Sequence, residues 1–386
     1  MRSTHHRPRP TAVRGGALTL LAALAALAVT GAGCAGNPYT VMGPEQVAKA
    51  ARSHGVDPAS IVIPYQLTDE MRAWVHKEAP TTVPFEKRLS LLLNGLLSPS
   101  LLKIEYEPRH TGTAREVFET RHANCLAFTS LFVGMAREVG VPVFYLDVED
   151  VQKYEKDGDL VVVSGHVSAG YGDGKDLRIY DFSAAPSPGY RQVRPINDLT
   201  AIALFHSNRG AELLRVGRDA EALPWLRTAV ALDPELARAW TNYGVAQRRS
   251  GDNTGAEASY RKALELDPGM ASAYQNLASL LRLRGKNQEA DQLLYLSVRS
   301  DGRNPFGYLA LGDLSLSQGR FDEARRFYRK AMRRYQHHAE PYAAMGQVSL
   351  AEGDTASALS WLRKALALDQ ENPRVKHLKV LLVGSA

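Results

Sequence analysis

RHANCLAFTSLFVGMAREVG, residues 121–140, is a short polar turn followed by an amphipathic run. After Cys125, apolar side chains recur at helical spacing, as at Phe128, Leu131 and Met135, so the sequence predicts a helix that begins at or just before the cysteine. A thiol at a helix N-terminus faces unpaired backbone N–H groups and the positive end of the helix dipole, and both favour the thiolate. The alternative is a small apolar residue packed in a core, as most lone cysteines are.

The cysteine count favours a reactive thiol. The chain has two cysteines, Cys34 and Cys125. Because Cys34 lies in a predicted export segment, described below, Cys125 is left with no disulfide to form in a protein expected outside the cytoplasm. Exported proteins usually pair their cysteines or lack them, so a leftover thiol indicates reactivity.

A histidine and an aspartate follow the cysteine on two predicted strands. Residues 161–183 read VVVSGHVSAGYGDGKDLRIYDFS. They predict strands at about Leu160–Tyr171 and Leu177–Phe182, joined by an Asp-Gly turn. Such a hairpin brings His166 and Asp181 side by side, which supplies a general base and the carboxylate that fixes its tautomer.

Together these residues resemble the bacterial transglutaminase-like superfamily, which has a papain-like core. The resemblance rests on a helix that begins at the cysteine of an Arg-x-x-Asn-Cys turn, the following GMAREVGVPV, a strand histidine, and a Tyr-Asp pair after it. It covers roughly residues 85–195 and implies an α+β fold. It also implies that Cys125 is the nucleophile, His166 the base and Asp181 the orienting acid.

Two positions differ from the pattern of the glutamine-crosslinking members. Leu126 follows the cysteine where those enzymes commonly have tryptophan, and Ala123 stands where glycine is usual. The relatives also include peptidases, amidases and inactive members. The resemblance therefore implies chemistry on amide or peptide bonds and leaves hydrolysis, acyl transfer and inactivity open.

Composition limits the remaining possibilities. A chain of 386 residues with 45% apolar and 23% charged residues is long enough for two globular domains and is not disordered. The net charge of +6 is inflated by arginines at the N-terminus, and no stretch interleaves basic and aromatic residues, so we expect no nucleic-acid binding. The acidic residues do not match the spacing of a calcium loop, and we expect no metal or other cofactor.

The first 34 residues have the pattern of a targeting segment. Arginines precede an apolar run, Ala17–Val29, that is short for a membrane span. Small residues and then Cys34 follow, which resembles a bacterial lipoprotein signal whose cysteine is acylated, although Gly31 stands where leucine is usual. We expect an exported protein of the bacterial cell envelope or periplasm, anchored to a membrane by a lipid on Cys34. Plain secretion after cleavage nearby is the alternative.

Two domains are predicted after this segment. Residues 35–64 read as a tether and residues 65–195 as the transglutaminase-like domain. Within it Val141–Val148 is a predicted strand, and the charged run Glu149–Asp159 is predicted as a solvated loop or as a flap over the site. The segment Ser183–Pro195, rich in proline and glycine, predicts the domain boundary.

The second half of the chain repeats every 34 residues. Small residues recur in columns, and aromatic residues form a further one: Gly217, Gly251, Gly285, Gly319, Gly353; Ala222, Ala256, Ala290, Ala324, Ala358; Trp240, Tyr274, Tyr308, Tyr342. These columns resemble tetratricopeptide repeats. The resemblance implies an all-α solenoid of five repeats over residues 200–372, closed by a capping helix at residues 373–386.

Solenoids of this kind commonly bind proteins or peptides on the concave face. On that face the sequence predicts Arg215, Arg238, Arg248, Arg249, Gln275 and Arg282. Such a face suits an acidic peptide or a C-terminal carboxylate, and ordinary solvated arginines are the alternative. Asparagines also recur with this period, at Asn208, Asn242 and Asn276, at a position that we expect to lie one residue off the groove.

Two functions are compatible with this sequence. The first is an exported, lipid-anchored thiol enzyme that acts on amide or peptide bonds, with repeats that recruit a partner or substrate. The second is a catalytically silent cell-envelope scaffold whose repeats mediate protein–protein interaction. The distances among the Cys125, His166 and Asp181 side chains distinguish the two.

Overall fold

The computed structural model of the chain describes residues 40–157, 160–183 and 192–384. The predicted signal segment with Cys34 lies outside these residues, as does most of the predicted boundary segment. All described residues belong to one compact unit. No helix in this part of the chain is long and apolar enough to cross a membrane.

The N-terminal half begins with helices and one short strand pair. The helices are α1 (Pro44–Ser53), α2 (Asp69–Glu78), α3 (Phe85–Leu97), α4 (Ala114–Thr120) and α5 (Cys125–Glu138), and the strands β1 (Glu105–Tyr106) and β2 (His122–Ala123) pair in parallel. A capping box starts α4, because the Thr113 hydroxyl accepts from the Glu116 N–H while the Glu116 carboxylate accepts from the Thr113 N–H. This cap determines where α4 begins and hence where the turn before Cys125 lies.

Helix α5 forms the centre of the N-terminal core. Every residue from Cys125 to Ala136 is buried. Helices α2, α3 and α4 pack against it together with the strands that follow, which explains why it is apolar on all sides. The prediction of a helix that begins at the cysteine is confirmed.

An antiparallel sheet covers α5, with the strand order β5-β4-β3-β6. Its strands are β3 (Phe144–Asp157), β4 (Leu160–Tyr171), β5 (Arg178–Tyr180) and β6 (Val193–Ile196). Strand β4 begins and ends where the sequence predicts, whereas β5 is shorter than predicted. A short 3-10 turn, Gly174–Asp176, precedes β5.

The prediction of a loop or flap over Glu149–Asp159 was wrong for the residues that the structure describes. Strand β3 continues to Asp157 and pairs with β4, with a register shift between Val148 and Gln152. Charged side chains do not prevent a strand whose main chain finds a partner, because strand propensity depends on tertiary context. Strand β6 pairs with β3 only at residues 145–148, and β5 pairs with β4 only at residues 169–171, an end of the sheet that we call the base. The outer part of the hairpin, towards Asp157 and Leu160, has no further strand beside it in the described part of the chain.

Helix pairs make up the second half of the chain. They are α6 (Asp198–Arg215) with α7 (Asp219–Leu232), α8 (Ala237–Arg249) with α9 (Asn253–Leu266), α10 (Ala271–Leu283) with α11 (Asn287–Ser300), α12 (Pro305–Ser317) with α13 (Phe321–Arg334), and α14 (Ala339–Ala351) with α15 (Thr355–Leu368), followed by α16 (Pro373–Gly384). The predicted fold class, an α+β domain plus an all-α solenoid, is confirmed.

Glycines occur in the repeats for two physical reasons. Gly217 adopts φ 72°, the left-handed conformation that glycine takes without strain, in the turn between two paired helices. Gly244 instead permits close packing, because a Cβ there would lie 2.5 Å from the ring of Tyr260. The repeat period therefore reflects both turn geometry and helix contact.

The two halves share one hydrophobic core. A single buried cluster extends from Val47 through α5 to Ala239 in α8. Arg137 of α5 forms a buried bidentate ion pair with Asp198 at the start of α6, with N–O distances of 2.8 and 2.9 Å. The packing is therefore continuous across the predicted boundary near residue 195.

The outer part of the β3–β4 hairpin lies against the first helices of the repeats. We call the surface formed by α6, α8 and α10, which β4 contacts, the inner face. Val161 packs in one cluster with Phe306, and Val163 packs in another with Met270. Lys156 Nζ forms an ion pair with Glu340 Oε1 of α14 at 2.5 Å. A segment of the N-terminal half thus occupies the inner face of the solenoid.

Two asparagines hold this strand by its main chain. The Asn276 carboxamide accepts from the Val161 N–H at 2.7 Å and donates to the Val161 carbonyl at 2.9 Å. The Asn242 carboxamide makes the same pair of bonds to Val163, at 3.2 and 3.1 Å. The expectation that the asparagine column lies off the groove was therefore wrong, because these two side chains point directly at the bound strand.

Candidate active site

Cys125 is the first residue of α5 and is 8% exposed. The preceding residue, Asn124, caps the helix, because its Oδ1 accepts from the Ala127 N–H at 2.9 Å. One turn further on, the Thr129 hydroxyl donates to the Val167 carbonyl at 3.2 Å. This bond joins the cysteine-bearing helix to β4 next to His166.

His166 and Asp181 meet at the base of the sheet. Ala169 of β4 pairs with Tyr180 of β5. Asp181 follows directly after β5 and therefore lies beside the part of β4 that contains His166. His166 Nε2 lies 2.6 Å from Asp181 Oδ1. Both residues are partly or fully buried, so solvent screens this contact only in part.

Two serines that the sequence analysis did not single out position the carboxylate. The Ser168 hydroxyl donates to Asp181 Oδ1 at 2.9 Å, and the Ser183 hydroxyl donates to Oδ2 at 3.0 Å. Ser168 follows the histidine by two residues and therefore lies on the same face of β4. That spacing is the signal that could have identified it.

The electrostatics of His166 depend on both neighbours. Burial on its own lowers the pKa of His166, but hydrogen bonds to Asp181 and to Cys125, together with the charge of Cys125, outweigh that effect and raise the pKa to about 9. The imidazole is therefore cationic near neutral pH and favours a thiolate beside it. The structure brings together the three side chains that the sequence predicts, while their catalytic role remains a prediction.

A cavity of about 120 Å³ opens at Cys125. Its walls come from both halves of the protein: Tyr106, Pro108, Arg109, Thr111 and Asn124 from the N-terminal half, Val162 and Gly165 from β4, and Asn208, Ala211, Glu212 and Arg215 from α6. The first repeat helix is therefore part of the candidate site, which local sequence patterns do not indicate.

A buried polar chain links the cysteine turn to that helix. Asn124 Nδ2 donates to the Thr111 hydroxyl at 2.7 Å, and this hydroxyl donates to Glu212 Oε1 at 2.6 Å. The Thr111 N–H donates to the same carboxylate oxygen at 2.7 Å. Burial raises the pKa of Glu212, although these bonds and nearby arginines act against the rise. Helix α6 is thereby held in place against the turn that presents the thiol.

The six residues predicted to bind a partner fall into different environments. Arg215 lines the cavity of Cys125. Gln275 and Arg282 line a second cavity, of about 320 Å³, beside the outer hairpin. Gln275 Nε2 is buried and has no hydrogen-bond partner among the described residues, whereas Arg282 pairs with Asp291 at 2.7 Å.

The other three, Arg238, Arg248 and Arg249, make contacts within the protein. Arg249 donates to the Leu214 carbonyl at 2.6 Å, and Arg248 donates to Ser279 at 3.0 Å. Arg238 forms an ion pair with Asp147 of β3, and its guanidinium packs against Gly165. A Cβ at residue 165 would lie 1.6 Å from Arg238 Nη1, so any larger residue before His166 requires the guanidinium to move from its present position.

No metal site is evident in the described part of the chain, where no group of three His, Cys, Asp or Glu side chains is placed to hold an ion. The chemistry that this arrangement supports is nucleophilic attack by a thiolate beside a cationic imidazole.

Comparison with protein families agrees with the two-part fold. Residues 64–150 match the transglutaminase-like superfamily, and residues 208–271, 259–292 and 315–382 match tetratricopeptide repeats. The chain therefore contains a transglutaminase-like domain followed by several tetratricopeptide repeats. The first match includes Cys125 and ends before His166 and Asp181.

Several solved structures match somewhat less than half of this chain. They include the Cut9–Hcn1 hetero-tetramer of the APC/C (18% identity, 47% of this chain and 36% of that chain, TM-score 0.42), PilF of Pseudomonas aeruginosa (23%, 47% and 82%, 0.40) and the thermophilic repeat protein TTC0263 of Thermus thermophilus (20%, 47% and 99%, 0.42). Among curated proteins no match is found.

Proposed function

We propose that this protein is a thiol enzyme of the transglutaminase-like type that acts on amide or peptide bonds. The supporting observation is that His166 contacts Asp181 and Cys125 at once, beside a cavity at the N-terminus of α5. A packed structural cysteine needs neither a cationic imidazole beside it nor a carboxylate behind that imidazole.

In the proposed reaction the Cys125 thiolate attacks the carbonyl carbon of the substrate amide. The C–N bond breaks, His166 gives its proton to the departing amine, and the acyl group remains on sulfur as a thioester. Asp181 keeps the imidazole in place. Water or a second amine then attacks the thioester carbon while His166 takes its proton. The C–S bond breaks and releases the Cys125 thiolate, which gives a carboxylic acid by hydrolysis or a new amide by transfer. The Cys125 N–H, in the first turn of α5, is the proposed donor to the oxyanion.

Alkylation of the purified protein with iodoacetamide at pH 7 tests this proposal. We expect Cys125 to react faster than a free thiol, as peptide mapping by mass spectrometry would show, and His166→Ala to remove the advantage. His122→Ala is the matched control, because His122 lies three residues before the cysteine but is exposed. A rate equal to that of a free thiol, unchanged in His166→Ala, would contradict the enzymatic proposal.

The repeats fit a protein-interaction role, since tetratricopeptide repeats generally bind proteins or peptides. We propose that they recruit a partner or substrate to the thiol site. The alternative, a catalytically silent scaffold, is tested by affinity capture with wild type and Cys125→Ala. If the silent scaffold is correct, both should recover the same partners and support the same phenotype.

We also propose that the protein is exported and anchored by a lipid on Cys34. Support comes from the sequence alone, namely the arginine-rich start, the short apolar run and the small residues before this cysteine. Metabolic labelling with a palmitate analogue should mark the wild type but not Cys34→Ser. Absence of label on the wild type excludes the anchor and leaves plain secretion.

A further inference from the structure

The asparagine column of the repeats has three members in equivalent positions. Asn276 lies in α10, Asn242 in α8 and Asn208 in α6, each 34 residues from the next. The first two are fully buried against β4. Asn208 is only partly buried, and its carboxamide makes no hydrogen bond to any residue that the structure describes.

The two occupied positions recognise extended main chain. In each, a carboxamide oxygen accepts the N–H of one valine while the amide nitrogen donates to the carbonyl of the same residue. This pair of bonds is what a neighbouring strand would supply to an exposed strand edge. It reads backbone conformation and needs no particular side chain, so a third carboxamide in the same setting can bind another extended segment in the same way.

Strand β4 does not fill the third position. Asn276 and Asn242 bind Val161 and Val163, so the register leads next to Gly165, which lines the same cavity as Asn208. The Arg238 guanidinium packs against this glycine and pairs with Asp147, and no bond to Asn208 forms. Asn208 instead faces the cavity that holds Cys125.

We infer that Asn208 binds the main chain of the substrate, and that the substrate is a polypeptide in extended conformation. This inference rests on the proposed function of Cys125. The Asn208 carboxamide accepts an N–H and donates to a carbonyl of one residue near the scissile bond, as its two counterparts do for β4. A peptide bound in this way lies on the part of the inner face that β4 does not occupy.

Two alkylating reagents separate this role from the reactivity of the thiol. Acetyl-Ala-Ala-Ala chloromethyl ketone carries extended main chain, whereas iodoacetamide carries none. In Asn208→Leu we expect the rate constant for the peptide reagent to fall roughly tenfold while that for iodoacetamide stays within about twofold, because two hydrogen bonds to peptide are lost. Asn208→Asp, which keeps the acceptor and loses the donor, should give an intermediate rate.

An equal fall for both reagents, or no fall for the peptide reagent, would overturn the inference. A wild type that iodoacetamide labels no faster than a free thiol would contradict the proposed function instead. In that event binding of acetyl-Ala-Ala-Ala amide to Cys125→Ala, measured by NMR titration, still decides the role of Asn208. Weaker binding in the double variant with Asn208→Leu supports it, whereas equal binding or none at all overturns it.

Discussion

The two ends of strand β4 are held by different kinds of interaction. At the base, His166 sits in a short chain of charged hydrogen bonds with Asp181 and Cys125. At the outer end, Val161 and Val163 are held by neutral carboxamides and apolar packing. The base arrangement tunes protonation, whereas the outer one satisfies main chain that no other described strand covers. The repeats are therefore a structural support of the candidate site as well as a second domain.

Removal of the carboxamides at the outer end should have the largest effect. In the double variant Asn242→Ala, Asn276→Ala, four buried main-chain groups lose their partners. Because one hydrogen bond contributes about 0.5–1.5 kcal/mol net, we expect the loss of four to lower the free energy of unfolding by roughly 2–6 kcal/mol in urea titrations. Asn208→Ala is the matched control, and its stability should change by less than about 0.5 kcal/mol. Equal losses would mean that the three asparagines act alike.

The corresponding change at the base should alter reactivity more than stability. Asp181→Asn removes the carboxylate charge and leaves only a neutral acceptor for the imidazolium. This lowers the pKa of His166, so the thiolate loses part of its stabilisation near neutral pH. We expect alkylation of Cys125 at pH 7.5 to slow roughly tenfold, the equivalent of one pKa unit. Ser183→Ala, which removes one hydroxyl from the same carboxylate, should slow it by less. No change in Asp181→Asn would separate the carboxylate from the thiol.

The junction between the two ends can be tested at Gly165. A Cβ there would overlap the Arg238 guanidinium and displace it from Asp147. We expect Gly165→Ala to lower the free energy of unfolding by about 1–2 kcal/mol, within the usual range for overpacking. In an Arg238→Ala background the same substitution should be nearly neutral, because its neighbour is gone. Additive effects in the double-mutant cycle would argue against this contact.

A second histidine provides the smallest expected effect. His206 of α6 is buried, its Nε2 accepts from the Val62 N–H, and burial lowers its pKa to about 4. Below about pH 6.5 the unfolded chain binds the proton more readily, so stability falls as the pH drops through this range. Between pH 7 and 6 the contribution of His206 falls by roughly 0.5–1 kcal/mol, so we expect the wild type to lose that much more stability than His206→Gln over this range. His166 acts in the opposite direction, since its raised pKa stabilises the fold at low pH and this contribution is lost as the pH rises towards about 9.

Local patterns predicted the parts of the candidate site that are close in sequence. The helix at Cys125 follows from apolar periodicity, and the structure adds the cap at Asn124. The contact between His166 and Asp181 follows from two strands joined by a short turn. The prediction of a loop or flap for the charged run of β3 was wrong, because the strand conformation depends on pairing with β4 and on support from the repeats.

By itself the sequence determined the two-part architecture, the order of the predicted triad and the repeat period, because each is written in spacings of a few residues or in a fixed period of 34. Tertiary structure alone decided that β4 fills the inner face, that Asn242 and Asn276 bind it, and that Asn208 faces the cavity of Cys125. The physical reason is that a carboxamide can satisfy any extended main chain within reach. Only the folded chain shows which segment comes within reach of each asparagine.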